Sequence, residues 1–206
     1  MEVYTNFLYQ FYMDETVTEN ILLLTDDKES HKAVAYNQIV KSMKQYRNSD
    51  AGIRCLSVIC PDGTAVVYDF ETDSSLNTIW QGYSDLRETP PYQNAVDEPG
   101  MVLSDTMDFQ KEKNGGHFFH ISKRLFDFNN LDQGSIATVV MSVDQSILSS
   151  ICGNGTTEDN SINFIINQEK QIISYPDAAF TGKPMNSRLN IEEFVQVSGY
   201  LRDRNI

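Results

Sequence analysis

The sequence predicts an α+β fold in which a helical N-terminal segment packs on antiparallel sheets, and three observations predict it. Apolar residues recur at helical spacing over residues 2–46. Three pairs of strand-length runs follow, each pair joined by turn-forming residues. Within the longest pair the side chains alternate in character, as they do in a strand that turns one face to a core.

In residues 2–25, Phe7, Leu8, Phe11, Thr18, Ile21 and Leu22 form an apolar stripe. A second helical stretch follows Asp26-Asp27, with Asp26 as its N-cap and Ala35, Ile39, Met43 and Tyr46 on one face. Run together, the two would extend about 60–70 Å at 1.5 Å per residue. Their acidic character, without a Lys/Arg-rich polar face, argues against a membrane-surface helix.

Residues 52–60 and 64–70 read as strands around Pro61-Asp62-Gly63, where proline presets its φ angle and glycine accepts a left-handed one. The connection that follows, 71–116, has helical patterns near 76–82 and 91–96, a turn at Glu98-Pro99-Gly100 and a brief strand at 101–103. A connection of this length is usually a binding segment or lid. It holds the only tryptophan, Trp80, with Tyr83 and Tyr92. The stretch containing Asp105 and Asp108 reads as a solvated loop.

The most informative stretch is the hairpin of strands 117–126 and 135–143. One face carries Phe119, Ile121 and Leu125, interrupted by Lys123, opposite Ala137, Val139, Met141 and Val143, and that face is core. The other mixes Phe118, His120, Ser122 and Arg124 with Ile136, Thr138, Val140 and Ser142. The second strand is apolar enough on both faces to expect cover on both. Asp144 then precedes a short helical pattern that it can cap. A polar linker over 153–161 leads to a third hairpin, 161–166 and 171–175, and to a helical segment from Ile191, with a strand over 194–201 as the alternative.

Composition narrows the function. A formal net charge of −13 repels a phosphate backbone and disfavours nucleic acid as a partner. No run reaches the roughly 18–20 apolar residues that cross a bilayer, and no signal sequence opens the chain. The abrupt start and finish suggest a piece of a longer protein. Cys55 and Cys60 have opposite parity on one strand and Cys152 is remote, so free thiols are expected. Nucleophile-elbow, zinc-helix and phosphate-loop motifs are absent from the sequence, no cofactor is implied, and His117 and His120 point to opposite faces, which is unsuited to a shared metal.

The helical N-terminus, the hairpin around PDG, PPYQNAV (90–96), HISKRLFD (120–127), ATVVMSVDQSIL (137–148) and INFIINQEKQIISYPDAAFTG (162–182) together resemble the double Cache sensor domain. The likeness is nearest to extracellular sensors of Gram-positive membrane histidine kinases. It implies a helical segment, 1–49, a membrane-distal PAS-like ligand-binding module, 50–151, and a membrane-proximal PAS-like module, 152–206, that shows too few strands to close. It further implies a non-enzymatic, ligand-sensing part of a membrane receptor on the extracellular face, held by transmembrane helices outside this sequence and paired with a second copy in the whole receptor. A chemoreceptor or cyclic-dinucleotide enzyme could carry the same sensor, and a non-sensing structural module is the alternative of a different class.

The resemblance also departs where it matters. In the amino-acid-binding branch an Arg-x-Trp-Tyr motif holds the ligand carboxylate, and here Thr89 and Pro91 stand at the Arg and Trp positions while Tyr92 matches. Asp144 matches the acidic residue that binds the ligand's amino group. From the mixed hairpin face and the aromatic connection, the expected ligand site comprises Tyr83, Arg87, Tyr92, His120, Ser122, Arg124 and Asp144, taking a small polar metabolite such as a sugar, polyol or carboxylate.

Overall fold

The computed structural model describes residues 2–26, 28–45, 52–109, 116–148, 164–166, 170–175, 177, 180–185, 194–197 and 200–203. The N-terminal segment is helical, in three pieces rather than one rod: α1 (Glu2–Tyr12), α2 (Glu15–Leu24) and α3 (Glu29–Gln45). Asp14 makes the first break. Its backbone is extended and its carboxylate accepts the Thr16 N–H at 2.9 Å, capping α2. The break resets the helical phase, so Val17 and Leu24 are buried where Thr18 and Leu22 were expected. At the second break Asp26 pairs with His31 Nδ1 at 2.7 Å, and α2 and α3 then pack on one another. Tyr46 lies outside the described residues.

Five antiparallel strands, β1 (Ile53–Ile59), β2 (Ala65–Asp69), β3 (Met101–Asp108), β4 (His117–Phe126) and β5 (Ser135–Asp144), form one sheet in the order β2-β1-β5-β4-β3. In the β1–β2 turn Gly63 sits at φ 95°, its N–H donates to Cys60 O at 3.0 Å, and the Asp62 carboxylate accepts the Thr64 N–H at 2.8 Å. β5 is central, which explains its apolar character on both sides.

The helices cover the first face. Phe119, Ile121, Leu125, Val139, Met141 and Val143 pack there with Phe7, Leu8, Phe11, Ile21, Ile39 and Met43. Lys123 interrupts that face without burying its charge, because its ammonium lies 5.7 and 5.4 Å from the ring centroids of Tyr9 and Tyr12. The 71–100 connection covers the second face, where Ile79, Trp80, Leu86 and Tyr92 pack with Cys55, Ile59, Phe118 and Val140. Cys60 belongs to the first face and Cys55 to the second, as their parity requires, and both are free thiols.

Within the connection the helical pattern at 76–82 resolves into turns instead. The Ser74 hydroxyl accepts the N–H groups of Leu76 and Asn77, both at 3.0 Å, and Gln81 Nε2 donates to Leu76 O at 2.7 Å, so side-chain bonds replace a helical ladder. The second pattern is helix α4 (Pro90–Val96). The brief strand at 101–103 is longer than expected, and Asp105 and Asp108 belong to β3 rather than to a loop. A register shift between Ser104 and Met107 lets pairing with β4 continue past them.

After β5, residues 145–148 are helical, and Asp144 Oδ1 accepts the Ser146 N–H at 2.8 Å. Two short strands, β6 (Ile165–Ile166) and β7 (Ile172–Ser174), make the third hairpin, with Lys170 at φ 62° in its turn. Two ties fasten it to the sheet: Thr106 Oγ1 donates to Ile173 O at 3.2 Å, and Gln145 Nε2 donates to Ser174 Oγ at 3.4 Å and Thr181 Oγ1 at 3.3 Å. The helical segment expected from Ile191 is corrected to an antiparallel pair, β8 (Phe194–Val197) and β9 (Tyr200–Asp203). Its β-branched and aromatic residues favour strand, and a short apolar run does not separate the two periods. The 153–161 linker and Cys152 lie outside the described residues. Among the described residues no helix is long and apolar enough to cross a membrane.

Ile121, 1% exposed, sits in the core between β4 and the helices. Ile121→Val should lower the unfolding free energy by about 0.5–1.5 kcal/mol in urea titration, with the slope unchanged.

Candidate functional site

Strand register arranges the second face into rows that run across the sheet. One row reads Asp69, Cys55, Ser142, His120, Ser104 from β2 to β3, and all five residues are buried. The next reads Val67, Ser57, Val140, Ser122, Val102, and a third Ala65, Ile59, Thr138, Arg124. At the opposite end Phe118 faces Asp144. The five-residue row is polar from one sheet edge to the other, and buried polar groups are costly unless hydrogen bonds replace those lost to water.

Part of the face is satisfied internally. Arg54 Nε donates to both oxygens of Asp69, at 3.0 and 2.9 Å, and Asp69 Oδ1 also accepts the N–H groups of Glu71 and Thr72 at 3.1 Å each. Arg54 Nη1 pairs with Glu71. Arg54 reaches this arrangement through the register shift between Ile53 and Cys55, and its guanidinium carbon lies 5.7 Å from the Phe118 ring centroid. Ser142 Oγ stands 3.1 Å from His120 Nδ1, and Asn94 of α4 donates to Ser104 Oγ at 3.4 Å.

The remainder is not. Ser57 Oγ, Ser122 Oγ, Trp80 Nε1, His120 Nε2, Arg54 Nη2 and Arg124 Nε are buried and meet no hydrogen-bond partner. Ser57 and Trp80 lie against the Cys55 thiol, near enough to favour its thiolate as donors to a weak sulfur acceptor, but short of the geometry of a full hydrogen bond. Trp80 lies over the row, its ring centroid 5.2 Å from that of His120 and 5.4 Å from Tyr83, and Phe109 approaches His120 to 6.1 Å.

Burial sets the charge state of this layer. It drives the His120 pKa down to about 3, so the imidazole is neutral at ordinary pH. Burial, reinforced by the Asp69 charge, pushes the Cys55 thiol far up, and burial raises Cys60 to about 12. Neither thiol supplies a thiolate nucleophile near neutrality. The layer therefore offers neutral hydrogen-bonding groups, aromatic walls and arginine N–H donors.

Of the sequence-predicted site residues, His120, Ser122 and Arg124 occupy successive positions on this face of β4, and Tyr92 is buried in the layer above it. Tyr83 stands at the rim, 40% exposed, beside Trp80. Arg87 is committed to Asp85, with Nε at 3.0 Å from both oxygens and Nη2 at 2.7 Å from Oδ2, and its Nη1 donates to Pro61 O at 2.8 Å. This pairing holds the Asp85 carboxyl below its usual range and raises Arg87. A Cβ at Gly63 would meet the Arg87 guanidinium carbon at 3.0 Å, so Arg87 seals the connection onto the β1–β2 turn. Asp144 uses one carboxylate oxygen to cap the following helical turn, at the end of the face remote from Arg124. Thr89 is buried at the start of α4, its hydroxyl donating to Leu86 O at 2.6 Å.

Sequence reasoning missed Ser57, Arg54 and Phe109, and placed Trp80 in the connection without including it in the expected site. The signal for two of them is present: Arg54 and Ser57 are the polar interruptions of an otherwise apolar strand.

No protein-family model matches the chain, and neither does any curated protein. Solved structures do. The ligand-binding domain of Pseudomonas fluorescens chemoreceptor CtaA with L-serine is 13% identical with a TM-score of 0.57, covering 97% of this chain and 81% of that one. The corresponding domain of the Pseudomonas aeruginosa amino acid chemoreceptor PctC with GABA is 15% identical with a TM-score of 0.56, covering 95% and 82%. The fold is that of a dCache-type sensory domain. The Campylobacter jejuni chemoreceptor Tlp3 sensory domain shares this dCache-type fold at 14% identity and a TM-score of 0.55, over 87% of this chain and 68% of that one. At these identities the likeness concerns the architecture, an α+β arrangement of N-terminal helices on antiparallel sheet.

The buried neutral His120 carries a pH signature. Its unfolded-state pKa is about 6.5 and its folded one about 3, so between these values the unfolded chain binds the extra proton. Stability should then fall as pH drops from about 6.5 towards 3, by up to about 1.4 kcal/mol per pH unit from this residue. Denaturation midpoints measured across that window should show a shallower acid slope for His120→Gln than for the native chain.

Proposed function

We propose that this chain is the ligand-sensing domain of a membrane-bound signal-transduction receptor, and that it binds a small polar metabolite between the second face of the sheet and the 71–100 connection. The observation that carries the reading is the set of buried, unpartnered polar atoms at Ser57, Ser122, Trp80 and His120, gathered under an aromatic cover. Such groups are few in a folded protein, since each costs about 1–3 kcal/mol when left unsatisfied, and a bound small molecule would supply partners to several of them at once.

In this reading residues 1–49 are the helical support, 50–151 the membrane-distal ligand-binding module and 152–206 the membrane-proximal module, all on the extracellular face. The domain binds and does not catalyse. The dCache-type fold shared with chemoreceptor ligand-binding domains supports the sensory role. For the output we favour a two-component histidine kinase, on the likeness of the sequence to Gram-positive kinase sensors, with pairing of two copies in the intact receptor. The solved neighbours make a chemoreceptor the alternative. Their L-serine and GABA ligands bring amino-acid-like molecules into consideration, whereas Thr89 and Pro91 at the carboxylate-binding motif positions favour a different metabolite class.

Ser57→Ala and Ser122→Ala separate binding from folding. Neither hydroxyl has an internal partner stronger than the Cys55 sulfur beside Ser57, so the free variants should melt close to or above the native temperature. A metabolite screen by thermal shift should meanwhile find a compound that stabilises the native chain, by about 2.7 kcal/mol at 100 times its dissociation constant, and less so either variant. Loss of free-protein stability in both variants, or a stabiliser indifferent to both changes, would refute the site.

A further inference from the structure

We propose that the ligand is a small organic acid that carries a carboxylate and no ammonium group, with the carboxylate held at Arg124 and Ser122; this deepens the binding reading above and rests on it. The inference follows from the balance of donors and acceptors left open on the second face. Three of the six unpartnered atoms can only donate: Trp80 Nε1, Arg54 Nη2 and Arg124 Nε. The hydroxyls of Ser57 and Ser122 can donate or accept, and His120 Nε2 takes either role by tautomer.

Neither carboxylate of this face stands near Arg124. Asp69 is filled by Arg54 and two backbone N–H groups, and Asp144 caps the helical turn that follows β5. An ammonium group held beside Arg124 would meet a like charge and no carboxylate, since Asp69 is filled and Asp144, with one oxygen open, stands at the far end of the face. A carboxylate meets the opposite situation. Arg124 makes no ion pair among the described residues, its Nε is buried, and its guanidinium carbon lies 5.3 Å from the Phe126 ring centroid; along β4 the residue stands one strand repeat, about 7 Å, from Ser122 and two from His120 on the same face.

The cation of Arg124 thus anchors an anion through charge-assisted hydrogen bonds. Ser122 Oγ adds a second donor beside it, and Trp80 Nε1 with His120 bounds the rest of the molecule. Ser57 lies two strands across from Ser122 through Val140, a separation of about 10 Å, which limits the ligand to a few carbon atoms.

The test is calorimetry on the native chain with matched pairs that differ only at the α-position: glycolate and glycine, L-lactate and L-alanine, L-2-hydroxyisovalerate and L-valine. At least one hydroxy acid should bind about tenfold or more tightly than its amino partner, and Arg124→Gln and Ser122→Ala should each weaken it by a similar factor. An amino acid that binds as tightly as its hydroxy partner, yet is weakened by Ser122→Ala, overturns the ligand class and leaves the site standing. Failure of every acid to bind at millimolar concentration likewise overturns the class. Binding of an acid that neither substitution alters overturns the anchor and, with it, the site.

Discussion

The sheet is roofed on both faces, and the rest of the structure answers to that constraint. With helices on one side and the 71–100 connection on the other, every side chain of the central strand β5 from Ile136 to Val143 is buried whichever way it points. The first face meets the requirement with hydrocarbon. The second carries a polar row from Asp69 to Ser104 and must find partners for it in a dry layer. Arg54, Asn94 and two loop N–H groups supply some of them, and the geometry of β1, including its register shift, is what brings Arg54 into reach.

The two faces divide the labour of the domain. Phe11, Phe119, Ile21, Ile39 and Met43 are essentially inaccessible, and burial on this scale, at roughly 25 cal/mol per Å² of apolar surface, is the main favourable contribution to folding. That contribution lets the opposite face keep hydroxyl, imidazole and indole groups in unsatisfied positions, the usual trade between stability and binding competence. The aromatic rings around His120 serve both ends, since they exclude water and leave its Nε2 atom uncovered by any protein acceptor.

Much of this was legible in the residues. Alternation in β4 and β5 separated Phe119 and Ile121 from His120 and Ser122, and it did so because a period of two is a rigid property of extended backbone. The turn at Asp62-Gly63 was equally plain. What could not be read were features decided by partners distant in sequence. Asp14 breaks the first helix although the apolar stripe continues through it, and Arg87 looks free until the Pro61 carbonyl and Asp85 are seen around it. Ser57 enters the site only once β1 is known to lie beside β5, which no local pattern reveals. The strands at Phe194–Val197 and Tyr200–Asp203 escaped because an apolar run of four residues fits either period.

The third hairpin has a mechanical meaning beyond its size. Its β7 strand is fastened to Thr106 on the edge strand β3 and to Gln145 at the exit of the central strand β5. β3 and β5 run in the same direction with β4 between them, so the two fasteners sit at one end of the sheet and span its width on that side. Ser104, which ends the polar row, lies two residues from one fastener, and Ser142 three from the other. A body pinned at two such points follows a slide of β3 along β5 by tilting with the line that joins them, so the hairpin's orientation is tied to the relative position of the two strands.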